Sequence, residues 1–429
     1  MARTGSTRAQ GLGVLRGTAL YVAAIVGPGI LTLPAIAAHN AGPASLVALA
    51  ALLLVSVPIA FTFVAIERTS PGAGGVAAYA TRAFGATTGR IVGYWFHLGV
   101  PIGVPALGLI GGGYLADATG GGKVTAAATA AAVVLVAIAA NLGRRAGSGR
   151  LTPVLTALLA ALVVVTAAVA LPHGDSAPLT PFAPRGWAAI GSAALVLTWV
   201  LTGWEAVSHF TGRLRDPRRT LPRVTAWALL TVALLYAAVA VPEILVLGPF
   251  AGSSEAPLTD MLAVALGQGT AAVAAALAVV IALNNAIAYV ASLRDLGTAL
   301  RESSATGRRP RAPVLLWPSL IMLGGLAAAA VTPLGTEELV AVCVGSQIPV
   351  YVLGLAAGLR LLRRYSLPWW LALFSTGAVA TLLVPAGLCL LVPAAIAVGV
   401  VLRRRPHERR PTQGPVPGSG SGSGERRAV

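Results

Sequence analysis

The sequence predicts an all-α integral membrane protein with about twelve transmembrane helices. Three observations carry that prediction. Hydrophobic residues make up 56% of the chain and charged residues only 10%, where a soluble domain has about a quarter charged. The apolar residues fall in runs of about 20, the length that crosses about 30 Å of hydrocarbon. The runs do not alternate apolar and polar residues, as the strands of a membrane barrel would. With a mean hydropathy of +0.81 over 429 residues, no soluble fold could hide so much apolar surface.

Runs and breaks give twelve spans: 13–38, 44–66, 89–116, 124–141, 151–171, 187–211, 224–248, 269–293, 312–331, 337–359, 367–383 and 386–402. The last two share one apolar stretch, divided only by Pro385, Ala386 and Gly387. Loop charge supports the count. With the N-terminus in the cytoplasm, all basic residues except Lys123 and Arg185 fall at cytoplasmic segments, out of 31 in the chain. That is the asymmetry of the positive-inside rule, and an even number of spans returns the seven Arg of the tail to the cytoplasm. The same distribution removes the nucleic-acid reading that a net charge of +17 invites, because the basic residues sit in short loops and not on an amphipathic face. Loop 67–90 is long enough for a short interfacial helix, and the tail from Arg403, basic and then rich in Gly and Ser, reads as disordered and open to contact with anionic lipid. No cleavable signal-peptide pattern opens the chain. The organisation expected is a cytoplasmic segment 1–12, a ten-helix core 13–359 built of repeats 13–171 and 187–359, two further helices in 367–402, and a tail 403–429.

Two spans carry chemistry. Lipid offers no hydrogen bonds, so a helix broken in mid-membrane must line a cavity or be packed in protein. Span 1 contains Gly27-Pro28-Gly29 near its middle. Proline removes a backbone donor and glycine lowers helix propensity. A break there exposes amides at the start of a half-helix near Ile30, and such an end attracts a carboxylate; a simple kink is the plainer alternative. Span 6 reads Thr198-Trp199-Val200-Leu201-Thr202-Gly203-Trp204-Glu205, where Gly203 offers a second break and Glu205 is taken as the only acidic residue within a span. An ionisable group at that depth is a functional candidate by default. Breaks in the first and sixth of ten core spans occupy corresponding positions of two five-span halves, the pattern that points to the binding site of an inverted-repeat transporter.

These residues also carry a resemblance. Gly27-Pro28-Gly29-Ile30 with Leu33-Pro34 resembles the unwound first helix of the amino acid–polyamine–organocation (APC) superfamily. Gly203-Trp204-Glu205-Ala206, followed by Asp216-Pro217-Arg218-Arg219-Thr220-Leu221-Pro222-Arg223, resembles its sixth helix and the loop after it. The likeness covers nearly the whole chain. The stretch Ser70 to Ala77, and Gly93-Tyr94-Trp95-Phe96 with Pro101-Ile102-Gly103-Val104-Pro105, look like the bacterial L-methionine/branched-chain amino acid exporter type. The resemblance implies a LeuT-like fold of two inverted five-helix repeats plus two extra helices. It implies a substrate held between Val26, Gly27, Pro28, Gly29 and Ile30 on one side and Thr198, Trp199, Thr202, Gly203 and Trp204 on the other. The amides around Gly27, Gly29 and Ile30 would hold an α-carboxylate, carbonyls near Thr198, Trp199 and Thr202 an α-ammonium, and Trp199 would gate or stack on the substrate. Half-helix ends of opposite polarity suit a zwitterion. With Glu205 taken as the only charge for a second cationic group, a small neutral amino acid is favoured over a polyamine.

The remaining polar candidates concern coupling. Glu205 and His209, at i and i+4, share a helix face and could relay a proton; His209 could equally be a solvated helix end. His97 lies in span 3, Asn284 and Asn285 in span 8, and Gln347 in span 10. Such amides often only join neighbouring helices. Span 5 lacks Lys and span 8 lacks a clear Ser/Thr pair for sodium, so a proton is the expected coupling ion. The expectation is a proton-coupled exporter of methionine or branched-chain amino acids in the bacterial inner membrane, both termini cytoplasmic; an importer or exchanger of the same fold is the nearest alternative. A membrane enzyme is disfavoured because the five His are scattered and no HExxH or paired acids occur in a span. A channel should repeat a ring of polar residues, and a scaffold needs no matched breaks. Cys343 and Cys389 lack metal-ligand spacing and read as small buried hydrophobes, and neither metal nor cofactor is expected.

Overall fold

The computed structural model describes residues 11–69, 75–143, 151–302 and 313–402. The expected tail 403–429 and most of the N-terminal segment lie outside these residues, as does 70–74 of the Gly-rich loop motif. The described chain is helical, and its one β-type pairing is a parallel bridge between Leu12 and Leu214. That bridge fastens the start of the chain to the loop after the sixth span, through Leu12 N–H to the Arg213 carbonyl (2.8 Å) and Arg215 N–H to the Leu12 carbonyl (3.1 Å).

The first predicted span is two helices, α1 (Val14–Ile25) and α2 (Leu33–Ala41), joined by a 3-10 turn, Pro28–Leu31. A short turn leads straight into α3 (Ser45–Thr69). The loop after it carries the expected short helix, α4 (Gly75–Phe84). Long helices α5 (Ala86–Thr119), α6 (Gly122–Leu142) and α7 (Leu151–Ala170) follow. The sixth span is again interrupted: α8 (Ile190–Leu197), 3-10 turns Thr198–Leu201 and Trp204–Ala206, then α9 (Val207–Phe210). Next come α10 (Pro217–Pro242), α11 (Pro257–Leu266), α12 (Ala271–Glu302), α13 (Leu316–Val331) and α14 (Thr336–Leu361). The final apolar stretch divides into α15 (Leu367–Thr381), a turn containing α16 (Leu383–Ala386), and α17 (Leu391–Leu402).

Among the described residues nine segments are long and apolar enough to cross a bilayer, and three shorter apolar helices accompany them. Nine and twelve differ for physical reasons. The break in the first span leaves α1 at 12 residues, α13 has only 16, and the closing hairpin is continuous in apolar character across its turn. The short α11 lies where the sequence suggested only loop.

Membrane helices associate through close packing, since lipid is as apolar as their side chains. The α5–α6 contact is built for it. A Cβ on Gly108 would meet the Ala130 backbone at 2.8 Å, and one on Gly112 the Ala126 carbonyl at 2.4 Å. Small residues four apart on both helices thus let the backbones touch. The outer surface is apolar, with Leu54, Leu234, Phe374 and Leu388 among its exposed side chains. Helices α1, α3, α5, α12 and α14 pack around the two interruptions.

Candidate functional site

The first interruption follows from Pro28. A residue before proline is pushed to extended backbone, and Gly27 adopts φ −115°, ψ −170°, while Val26 before it is already extended. Helix α1 therefore stops, with the Val26 N–H still bonded to the Val22 carbonyl at 2.7 Å. Proline then starts the 3-10 turn, at the position where its missing N–H is harmless. Within the turn the Ile30 N–H donates to the Gly27 carbonyl (3.3 Å) and the Thr32 N–H to the Gly29 carbonyl (3.2 Å). The amides of Gly27 and Gly29 meet no acceptor among the described residues. The expected trio of donors is thus a pair, because the turn engages Ile30.

The second interruption centres on Gly203. Thr202 is extended and Gly203 sits at φ +106°, a conformation glycine reaches without a Cβ penalty. A Cβ there would lie 2.9 Å from the Ala24 carbonyl oxygen and 3.0 Å from Ile25 Cα, so the two broken helices touch backbone to backbone. Tyr21 seals the contact. Its hydroxyl donates to the Trp204 carbonyl at 2.6 Å and its ring meets the Trp204 indole edge-on at 5.5 Å.

Unlike the first break, this one is capped from within. The Gly203 N–H donates to Glu205 Oε2 (2.9 Å) and to the Tyr351 hydroxyl oxygen (2.9 Å), and the Tyr351 hydroxyl donates to the same Glu205 oxygen. The Glu205 carboxylate occupies the start of its own half-helix, where the backbone dipole favours an anion. Beyond it Phe63 packs edge-on against Tyr351 at 5.7 Å and also contacts Tyr79, whose hydroxyl donates to Glu67 Oε2 at 2.7 Å. This line of side chains joins the sixth helix to α3 and α4.

Glu205 is not the lone acid of the spans. Glu67 (0% exposed) and Glu243 (1% exposed) are buried in the helical bundle as well. Glu243 falls inside the seventh predicted span, and Glu67 is enclosed because α3 runs three residues past its predicted end.

The other candidates separate. Asn285 faces the first break, its Oδ1 3.3 Å from where a Gly27 Cβ would lie. Asn284 points elsewhere, to Thr152 Oγ1 on α7 at 3.3 Å. His97 packs against Gly297 of α12, twelve residues or about 18 Å along that helix from Asn285, so the structure does not bring it to either break. His209 belongs to α9, and its side chain lies outside the described residues. Thr198 and Thr202 turn their hydroxyls back on the chain, to the Ala194 (2.6 Å) and Trp199 (2.7 Å) carbonyls. The Thr202 N–H also bonds the Trp199 carbonyl (3.1 Å). That carbonyl, expected to meet an ammonium, is already doubly engaged. The Trp199 side chain instead borders a cavity of about 10 Å³, room for about one water molecule. Val100, Gly103, Val104, Leu107, Tyr289, Cys343 and Gln347 complete its wall, and Gln347 Nε2 contacts Cys343 Sγ at 3.3 Å. Residues 26–30 do not line it. No cluster of three metal-ligating side chains exists among the described residues.

Sequence reasoning missed Tyr21, Tyr79, Tyr114 and Tyr351. A signal was present, because a tyrosine deep within a span needs a partner for its hydroxyl; the partner could not be read from a single sequence.

A bundle of membrane-length helices in which two interrupted helices meet is consistent with a membrane transporter of the permease class. The sequence profile of the amino acid permease family matches residues 12–303, and the chain belongs to that family, within the APC superfamily. It is similar to an uncharacterized amino acid permease of Bacillus subtilis (strain 168), with 30% identity over 89% of this chain and 92% of the relative. It is also similar to an L-methionine/branched-chain amino acid exporter of Escherichia coli (strain K12), with 31% identity over 53% of this chain and 54% of that protein. A branched-chain amino acid permease of Bacillus subtilis (strain 168) shares 25% identity over 53% of each chain. By family the chain is an amino acid transporter.

Proposed function

We propose that this protein exports small neutral amino acids of the methionine and branched-chain type, by proton-coupled alternating access across the bacterial inner membrane. The observation that carries the proposal is the pair of unengaged amides at Gly27 and Gly29, held at a helix break and walled by Asn285. Backbone donors aimed from a half-helix start are suited to a carboxylate. The α-ammonium would meet the carbonyl end of the Thr198–Leu201 turn, at positions other than Trp199. The substrate side chain would lie towards Trp199, where Val100, Val104, Leu107 and Cys343 supply an apolar wall and no full charge. In the packed arrangement that space has room for about one water, so admitting a side chain requires the helices to part.

Export is favoured by the likeness to the Escherichia coli exporter, and the loop charges favour both termini in the cytoplasm. The two five-span halves, 13–171 and 187–359, act as inverted repeats in this reading, with 367–402 outside the core. The test is flux of radiolabelled methionine and leucine in proteoliposomes under an imposed proton or sodium gradient. Accumulation driven by the proton gradient supports the reading. Sodium dependence, or the absence of any neutral amino acid exchange, contradicts it. In cells, expression should relieve growth inhibition by methionine- or leucine-containing dipeptides, and sensitisation instead would mean import.

A further inference from the structure

The end of α10 departs from α-helical winding. After Pro242 the backbone enters a π-turn, Glu243–Leu247. Such turns are rare and recur at functional positions. The first residue of this one is Glu243, whose two carboxylate oxygens have no hydrogen-bond partner among the described residues. The 3-10 stretches Leu171–His173, Ala177–Leu179 and Gly248–Ser253 pack on the turn, together with α2 and α11. The titratable groups carried on or beside these elements, and at the adjoining end of α5, are His39, Tyr114, Asp117, His173, Asp175, Glu255, Asp260 and Glu337, whose carboxylate accepts from Asn40 of α2. None is Lys or Arg. His39, Asp117, His173 and Asp175 are exposed, and Asp260 accepts from the Ser254 hydroxyl. The arginines of α10 itself, Arg218, Arg219 and Arg223, lie about 30 Å away at its other end. A carboxylate enclosed without donor or cation is disfavoured against its neutral acid, which gives up far less hydration.

A second observation ties this turn to the site. Tyr114 of α5 is fully buried, and its hydroxyl donates to the Leu31 carbonyl (2.8 Å) in the first helix break. The same hydroxyl accepts from the Leu258 N–H (3.3 Å) at the start of α11. Thr32 and Thr259, the residues that follow Tyr114's two partners, each bury a hydroxyl with no partner among the described residues. The polar groups of this layer are therefore gathered where α2, α11 and the π-turn meet, and they are incompletely paired in the packed arrangement.

The geometry points to Glu243 as a proton-binding site, loaded while α2, α11 and the π-turn are packed together and emptied when they separate and water reaches it. The inference rests on the proton-coupled reading above and gives the proton a second address. Glu205 already has the Gly203 amide and Tyr351 as partners, whereas Glu243 has none to release. Loading links the proton to the position of Leu31, and so to the amides of Gly27 and Gly29.

The test uses the full-length protein and Glu243→Gln in two measurements. Infrared difference spectra at neutral pH should show a protonated-carboxyl stretch in the wild type that is missing from the variant; identical spectra overturn the assignment. In proteoliposomes, exchange of labelled for unlabelled leucine should persist in the variant while accumulation driven by a pH gradient is lost. Unchanged accumulation overturns the coupling role, and loss of exchange together with accumulation overturns it in favour of a structural one. If the wild type itself exchanges no neutral amino acid, the transport reading fails while the infrared measurement still judges Glu243.

Discussion

The two helix breaks are built from similar sequence and finished in opposite ways. At the first, Gly27 and Gly29 present amides that no group among the described residues accepts. At the second, the Gly203 amide is already held by Glu205 and Tyr351. Both begin a half-helix and both carry the partial positive charge that attracts an anion. The protein supplies the anion at one and leaves it out at the other. In the reading proposed above an external carboxylate would therefore go to the open break, and the capped break is the reference against which it is measured.

The comparison breaks most severely at Gly203. Replacing it with alanine sets a Cβ 2.9 Å from the Ala24 carbonyl at a positive φ. Strain of that kind costs about 1–3 kcal/mol, so leucine exchange should fall by about fivefold or more. A lower melting temperature of the purified protein should accompany the loss. Normal exchange by Gly203→Ala would mean the helices do not meet as described.

The open break is tested next. Gly29→Val places its Cβ 2.9 Å from Leu33 Cδ1, a flexible side chain that can give way, and Gly27→Val faces Asn285 at 3.3 Å. Both variants should insert and fold yet lose exchange, because β-branched side chains crowd the two donors. For Gly27→Ala, the milder change, adding Asn285→Ala should restore part of the flux, since the obstructing atom is then gone. Absence of any rescue would detach Asn285 from the site.

The smallest effect is expected at the capped break. Tyr351→Phe removes one hydrogen bond to Glu205 and one acceptor for Gly203, while the carboxylate stays in place. A loss of about 1 kcal/mol in stability should appear as a modest drop in melting temperature with exchange still measurable. If Tyr351→Phe abolished binding as completely as Gly29→Val, the distinction between the two breaks would be wrong.

What could be read from sequence follows the range of the interactions. The interruption at residues 27–29 was legible because proline and glycine act on their own backbone, and the one at 203 for the same reason. The charge bias of the loops was legible because it needs only a count. Pairings between distant residues were not: Tyr351 meets Glu205 across 146 positions and Tyr21 meets Trp204 across 183. The placement of Asn285 beside Gly27, and of Asn284 away from it, depends on the rotation of α12, which its apolar surroundings do not fix by pattern alone. The carbonyl of Trp199 was misjudged because a local Thr202 contact engages it. The short α11 escaped notice because its ten residues, though apolar, are too few to cross a bilayer.

Competition for transport tests the central claim most directly. Exchange of labelled leucine is measured against unlabelled leucine and against leucinamide, which keeps the side chain and the α-ammonium but replaces the carboxylate with a neutral amide. If the Gly27 and Gly29 amides receive the carboxylate, leucine competes and leucinamide does not. Equal competition by the two would contradict the account.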